Sequence, residues 1–294
     1  CSRERYWGTP LPVWRCEGCG ADECVGSIDD LMHRPGLAGV KEPLDLHRPF
    51  VDEITFACPK CQAKMRRVHD VLDAWFDSGA MPVAQWHYPF ENRETFEKFF
   101  PADYICEAVD QTRGWFYTLH ALSTLLFDKP CYRNVICLGH ILDAKGEKMS
   151  KSKGNVVEPA KVLDKQGADA LRWYLLTSSP AGSPRRFSVE LVAETQRKFL
   201  STLWNTYSFF VLYANIDKFD PRAAGDVKIE AELDRWILSD LNTLVDYVNK
   251  SLENYEPTDA GRRIQEFVDN LSNWYVRRSR RRFWKSENDT DKLS

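Results

Sequence analysis

Lys148-Met149-Ser150-Lys151-Ser152, continued by Lys153-Gly154-Asn155, places the ammonium groups of Lys148 and Lys151 three residues apart between Gly146 and Gly154. The run before it, Asn134-Val135-Ile136-Cys137-Leu138-Gly139, is apolar and β-branched and reads as a buried strand. Behind it, Glu158-Pro159-Ala160-Lys161-Val162-Leu163 opens a helix, with proline at a first helical position. A loop at the carboxyl end of a parallel strand is where open α/β sheets bind ligands. The two glycines let this loop move, and the two lysines can follow negative charge as it shifts along a phosphate chain, which lowers the barrier to a displacement. The stretch therefore reads as a polyphosphate clamp. A solvated lysine-rich hairpin is the competing reading, and the strand-loop-helix context argues against it.

Composition bounds the rest. The chain has 294 residues, enough for two domains, and its 43% hydrophobic content with 10 Trp, 11 Tyr and 16 Phe can fill real cores. No apolar run reaches the ~18 residues of a membrane span, and no signal peptide is recognisable. The net charge of -3 argues against indiscriminate nucleic-acid binding, so any RNA contact must come from local basic faces. Nine cysteines at uneven spacing suit free thiols in a reducing, cytoplasmic setting rather than a disulfide framework.

The cysteines divide usefully. Cys16-Glu17-Gly18-Cys19 and Cys58-Pro59-Lys60-Cys61 are two C-x-x-C knuckles that can complete a tetrahedral Zn2+ site. The 38 residues between them exceed the common spacing of about 15 to 20. A small subdomain at about 14–70, with a helix near Ser27 to His33, fills that gap, and Cys24 is the substitute if one ligand is wrong. Unmetallated thiols are the alternative. Cys1, Cys106, Cys131 and Cys137 read as small core residues.

Pro101 to Glu107 reads as a strand, and Asp110-Gln111 lies where a helix begins, so Glu107, Asp110 and Gln111 cluster at the strand's carboxyl end. Carboxylates there can meet hydroxyls and amines, although Asp110 could equally be a helix N-cap. Trp75 and Trp115 offer flat apolar walls for a pocket, or pack a core. From Ser188 onward the period is helical throughout. Phe199, Leu203, Tyr207 and Phe210 share one face; so do Leu233, Ile237, Leu241, Val245, Val248 and Leu252; and so do Ile264, Phe267, Leu271 and Trp274. Asp220-Pro221 with Gly225 and Glu256-Pro257 mark the breaks, with Thr258 the expected N-cap. Arg277, Arg278, Arg280, Arg281 and Arg282 suit a phosphate backbone, as do Arg185 and Arg186; a solvated charged face is the alternative.

The lysine loop and four further motifs carry a resemblance. The lysine loop resembles the K-M-S-K-S signature of class I aminoacyl-tRNA synthetases. Ser2-Arg3-Glu4-Arg5-Tyr6-Trp7-Gly8-Thr9-Pro10, Asp70-Val71-Leu72-Asp73-Ala74-Trp75-Phe76-Asp77-Ser78-Gly79, Asp110-Gln111-Thr112-Arg113-Gly114-Trp115-Phe116 and Trp274 to Trp284 are similar to segments of the isoleucyl-tRNA synthetases. Valyl and leucyl synthetases are near competitors, and a noncatalytic tRNA- or zinc-binding module is the alternative of another class. The resemblance implies the second half of a Rossmann-like catalytic domain with a zinc-knuckle insertion, α/β, followed by an all-α helical bundle. Boundaries are expected at 1–140, 141–187 and 188–294. It implies that Lys148 and Lys151 serve ATP phosphates and that Glu107 holds the α-ammonium of the aminoacyl-adenylate. Asp110 and Gln111 would bond ribose and substrate, Trp75 and Trp115 would wall the isoleucine pocket, and adenine would lie against Gly139 and His140. Arg277, Arg278 and Arg281 would meet tRNA(Ile), with Mg2+ arriving with ATP and a monomer favoured. The family's glycine after the glutamate is Ala108 here, and no H-x-G-H tetrad occurs in the chain. A fragment lacking that motif and the editing insertion is the expectation, without adenylate-forming activity of its own.

Overall fold

The computed structural model describes residues 2–220, 222, 229, 231–285 and 292, the side chains of Ser2, Arg3 and Lys151 excepted. Cys1, Pro221 and Gly225, and the tail from Ser286 apart from Lys292, carry expectations that lie outside the described residues. Two compact units emerge: Cys1–Ile105 with Asp110–Val135, and Cys106–Val109 with Ile136–Ser294.

In the first unit, β1 (Ser2–Arg3) pairs antiparallel with β6 (Val71–Leu72). Between them lies a four-stranded antiparallel sheet of β2 (Val13–Cys16), β3 (Asp22–Cys24), β4 (Thr55–Ala57) and β5 (Lys64–Arg67), in the order β3-β2-β5-β4. The helix expected near Ser27 is α1 (Ile28–Met32), and the Ser27 hydroxyl caps it by accepting from Asp30 N at 3.0 Å. Trp14, Ile54, Phe56 and Met65 are almost wholly buried around this sheet. Each contributes about 1.5–3 kcal/mol of burial, which makes the insertion a core in its own right. Buried Arg67 ties it to the following motif: its guanidinium holds Asp52 and donates to Asp70 O at 2.9 Å.

Then follow α2 (Ala74–Ala84), α3 (Arg93–Phe99), β7 (Ala102–Ala108), a 3-10 turn at Val109–Arg113, α4 (Trp115–Phe127) and β8 (Tyr132–Leu138). Asp73 caps α2 by accepting from Phe76 N at 2.8 Å. Gly79 lets α2 approach α4 closely, since a Cβ there would lie 3.0 Å from Thr118 and Leu122. β7 and β8 start side by side, Ala102 N donating to Cys131 O at 2.8 Å, so they run parallel across the α4 connection. This is the expected parallel strand, but not a buried one: Arg133, Asn134 and Val135 are exposed. Two paired strands cover too little of each other's faces to bury a β-branched run.

The second unit continues with β9 (Ile141–Leu142), α5 (Pro159–Thr177) and β10 (Arg185–Arg186), the two strands parallel. α5 is two helical pieces bent at Gly167, whose φ of +82° suits glycine. Val162, Ala170, Tyr174, Phe187 and Val192 form its core. After α6 (Val189–Thr195) and a π turn at Gln196–Leu200 come α7 (Ser201–Ile216), α8 (Glu232–Glu253), α9 (Pro257–Asp269), a second π turn at Asn270–Val276 and α10 (Arg277–Trp284).

The helical region is as expected; its faces are not. α7 buries none of Leu203, Tyr207 or Phe210. α8 turns Ile237 and Leu244 inward and leaves Leu241, Val245 and Leu252 exposed. The π turn adds a residue to its turn and advances the phase, so Trp274 faces out at 48% exposure while Tyr275 packs inward against Ile237, Leu244 and Phe267. Thr258 is not the N-cap of α9. Glu256 holds that position, and the Thr258 hydroxyl donates to Leu176 O at 2.8 Å, capping the carboxyl end of α5 instead. Among the described residues no helix is long and apolar enough to cross a membrane.

Candidate active site and metal centre

The lysine loop leaves β9 at Asp143 and is held by two side chains. Asp143 Oδ1 accepts from Lys145 N (2.9 Å) and Glu147 N (2.8 Å), closing a turn through Gly146 at φ +90°. Asn155 Nδ2 donates to Asp143 Oδ2 (2.8 Å) and Lys148 O (3.3 Å), and Asn155 Oδ1 accepts from Ser150 N (2.9 Å). The Asn155 hydrogen bond, with the backbone donors, holds the Asp143 carboxyl below the usual carboxylate range. Met149 and Val157 pack against the core around α5, so the loop is pinned by apolar side chains on both sides of its basic tip. Lys148 is exposed and has no carboxylate within ion-pair distance among the described residues, whereas Lys153 pairs with Glu147 at 3.5 Å. Lys151 opens a 3-10 turn at Lys151–Lys153; its side chain lies outside the described residues.

In the same unit Gly139 sits where a Cβ would strike the Ser183 backbone, and its N–H donates to Ala181 O at 2.8 Å. The glycine is thus required by chain packing at the end of β8. His140 is exposed, and its carbonyl accepts from Arg185 N at 2.9 Å. Glu107 is exposed on β7. Ala108 closes that strand without a positive φ, so the backbone there does not demand glycine.

The first unit brings together Trp75, Gln111, Gly114 and Trp115. Gln111 Oε1 accepts from Trp115 N at 3.0 Å, and Gly114 is the residue before α4. Asp110 is therefore not the cap of this helix; Gln111 satisfies its first N–H, while Asp110 is exposed within the 3-10 turn and accepts from Gln111 Nε2 at 3.2 Å. The six-membered ring of Trp75 lies over Gly114: a Cβ there would stand 2.8 Å from both Trp75 Cη2 and Gln111 Oε1. Trp75 is 48% exposed in this chain, and Trp115 Nε1 donates to Ser78 O at 3.2 Å. Nothing in the sequence pattern singled out Gly114; its contacts do.

The four knuckle cysteines converge. The sulfurs of Cys16, Cys19, Cys58 and Cys61 all lie within 4.8 Å of one another, with Cys16 to Cys61 at 3.4 Å and Cys19 to Cys58 at 3.7 Å. A tetrahedral Zn2+ with bonds of about 2.3 Å separates its sulfurs by about 3.8 Å, so the donor set and its size fit that ion. Backbone N–H groups of Gly18 and Cys19 point at Cys16 Sγ, and Lys60 N at Cys58 Sγ, each at 3.4 Å, as second donors to thiolate ligands do. The Cys19 backbone bond brings the Cys16 thiol down to about 6. Cys61 is lowered by the Ala63 backbone but raised more by its sulfur neighbours, to about 12. Cys24 takes no part. Cys131 is buried as expected, whereas Cys106 and Cys137 are only half-buried, because β7 and β8 have open faces.

On α10, Arg277, Arg278 and Arg281 are exposed, and the Arg278 guanidinium lies 4.1 Å from the Trp274 ring centroid. Arg282 is excluded from such a surface. It forms a two-pronged ion pair with Asp234 at 2.6 and 2.9 Å, and Tyr275 donates to the same carboxylate at 2.8 Å. Arg185 is likewise spent on the Leu175 carbonyl, while Arg186 is exposed.

The parallel β7-α4-β8 unit, the lysine loop feeding α5 and the helical region beyond define a class I synthetase fold. The family model "tRNA synthetases class I (I, L, M and V)" matches residues 1–188, and "Anticodon-binding domain of tRNA ligase" matches residues 234–294. The chain belongs to the class I tRNA synthetases of the I, L, M and V group. It is similar to the isoleucine–tRNA ligase of Dehalococcoides mccartyi, 66% identical over 100% of this chain and 29% of that protein. The isoleucine–tRNA ligases of Clostridium acetobutylicum (59%) and Thermus thermophilus (52%) each match 99% of the chain and 28% of their own length. The chain thus spans under a third of the length of these curated relatives. Among solved structures, a ternary complex of Agrobacterium radiobacter LeuRS with tRNA and LeuAMS has a TM-score of 0.69 at 21% identity, covering 99% of this chain and 36% of that one. Mycobacterium tuberculosis methionyl-tRNA synthetase bound by methionyl-adenylate has a TM-score of 0.63 at 18% identity, covering 82% and 46%. At such identities these two speak for the fold alone.

Proposed function

We propose that this chain works within an enzyme that activates isoleucine with ATP and transfers it to tRNA(Ile). The observation that carries the reading is the 66% identity to an isoleucine–tRNA ligase over the full chain. In the activation step an isoleucine carboxylate oxygen attacks the α-phosphorus of ATP in line. The new P–O bond forms as the bond to the β-phosphate oxygen breaks, and pyrophosphate leaves. Lys148 and Lys151 neutralise the charge gathering on that leaving group. Glu107 takes the α-ammonium, Asp110 and Gln111 bond ribose and substrate, Trp75 and Trp115 wall the aliphatic side chain, and the backbone at Gly139 and His140 meets adenine. Mg2+ accompanying ATP shares the phosphate charge.

Cys16, Cys19, Cys58 and Cys61 hold a structural Zn2+ that staples the β2–β5 subdomain. Arg277, Arg278 and Arg281 meet the tRNA backbone, and the enzyme acts as a cytoplasmic monomer. The test is isoleucine-, valine- and leucine-dependent exchange of pyrophosphate into ATP by the complete ligase carrying this chain. Preference for isoleucine is expected, and preference for either competitor, or no exchange by a folded enzyme, refutes the reading. The 294-residue chain alone, which has no H-x-G-H sequence, is expected to give no exchange.

A further inference from the structure

We propose that Asp143 and Asn155 are positioning residues for the Lys148 ammonium, forming a side-chain clip that fixes the backbone on both sides of the loop's first lysine. The inference rests on the polyphosphate reading of the loop and adds two residues to it. The Asn155 amide uses both its ends: Oδ1 takes the Ser150 N–H, and Nδ2 gives to Asp143 Oδ2 and Lys148 O. The Asp143 carboxylate takes Lys145 N and Glu147 N on its other oxygen, and Asp143 N donates to Glu147 O at 2.8 Å. An isolated bridge between Leu142 and Lys148 completes the frame. Backbone groups of residues 145, 147, 148 and 150 are therefore all tied, directly or through Asn155, to one carboxylate.

Neither side chain belongs to the apolar core, which Met149 and Val157 pack against instead, and both are half-buried within the loop. What the clip controls is direction. With four rotatable bonds between backbone and ammonium, Lys148 reaches a fixed point in space only if its Cα and its carbonyl are held. A misplacement of about 1 Å from productive geometry is worth on the order of 100-fold in rate. Asp143 contributes as an acceptor and as a negative charge, yet no lysine ammonium pairs with it among the described residues, so it organises the loop without quenching the cation meant for phosphate.

In the complete ligase, Asn155→Ala is expected to lower kcat for isoleucine-dependent exchange at least about tenfold, with KM for isoleucine and the melting temperature unchanged. In a Lys148→Ala background the same substitution adds less than about twofold, because the group it positions is gone. Asp143→Asn sets two amide donors face to face and is expected to lose a similar amount. The exchanged pair D143N/N155D restores donor to acceptor and recovers at least about threefold of that loss. Unchanged kcat in Asn155→Ala, an equal loss with and without Lys148, or no recovery in the exchanged pair overturns the clip while leaving the polyphosphate reading standing. Full exchange activity in Lys148→Ala overturns both.

Discussion

Replacing Gly114 by alanine tests the pocket reading at a single methyl group. A Cβ at 114 would lie 2.8 Å from Trp75 Cη2, 2.9 Å from Trp75 Cζ3 and 2.8 Å from Gln111 Oε1. Reaching an ordinary contact of 3.4 Å requires those atoms to move by about 0.6 Å (3.4 minus 2.8). The half-exposed Trp75 ring can swing, whereas Gln111 is held by its bond to Trp115 N. The strain of such overpacking is about 1–3 kcal/mol, to be read as a fall in melting temperature. If Trp75 walls the isoleucine side chain, its shift also loses contact worth about one methylene, ~0.8 kcal/mol, or roughly a fourfold rise in KM for isoleucine. The assay is pyrophosphate exchange by the complete ligase at saturating ATP. Gly26→Ala serves as the control, since nothing lies within 4 Å of a Cβ there and its φ is ordinary. A KM equal to that of the control, in a protein whose melting temperature shows the expected strain, would refute Trp75 as a pocket wall.

Two further outcomes are open to measurement. Cys58→Ser is expected to abolish bound zinc and unfold the β2–β5 subdomain, since Cys58 is fully buried in that core, while Cys24→Ser retains one zinc per chain; metal analysis of the purified chain decides, and a wild-type chain with far less than one zinc sinks the assignment. Arg282→Ala should cost about 3–5 kcal/mol by stranding the buried Asp234 carboxylate, against under about 0.5 for the exposed Arg277→Ala. Burial raises the Asp234 carboxyl, but its bonds to Arg282 and Tyr275 outweigh that and hold it below the usual value. The pair's contribution is therefore complete above the unfolded carboxyl value of about 3.9 and fades as pH falls through the lower folded value. Chemical denaturation of both variants from pH 7 to pH 3 should show the Arg282→Ala deficit shrinking as pH falls, because the stranded, buried carboxyl of the variant takes up a proton more readily than the paired one.

Local patterns were read correctly from the chain alone. The strand at Asn134, though not its expected burial, the basic loop, the helix opening at Pro159, the knuckles at Cys16 and Cys58 and the helical run after Ser188 each depend on neighbours within a few residues, where composition and period speak directly. Partners distant along the chain were another matter. Arg282 looked like four other arginines until Asp234, 48 residues away, was seen to hold it. Thr258 looked like a cap for its own helix and instead caps α5, 82 residues earlier. Helical period assigned Trp274 to a buried face, but the π turn at Asn270–Val276 broke the period and put Tyr275 there. Hydrogen bonding and burial reward whichever groups the fold brings into contact, and a one-dimensional pattern carries no record of that meeting; Asn155, adjacent to the loop and silent in its pattern, became legible only when its amide was found joining Ser150, Lys148 and Asp143.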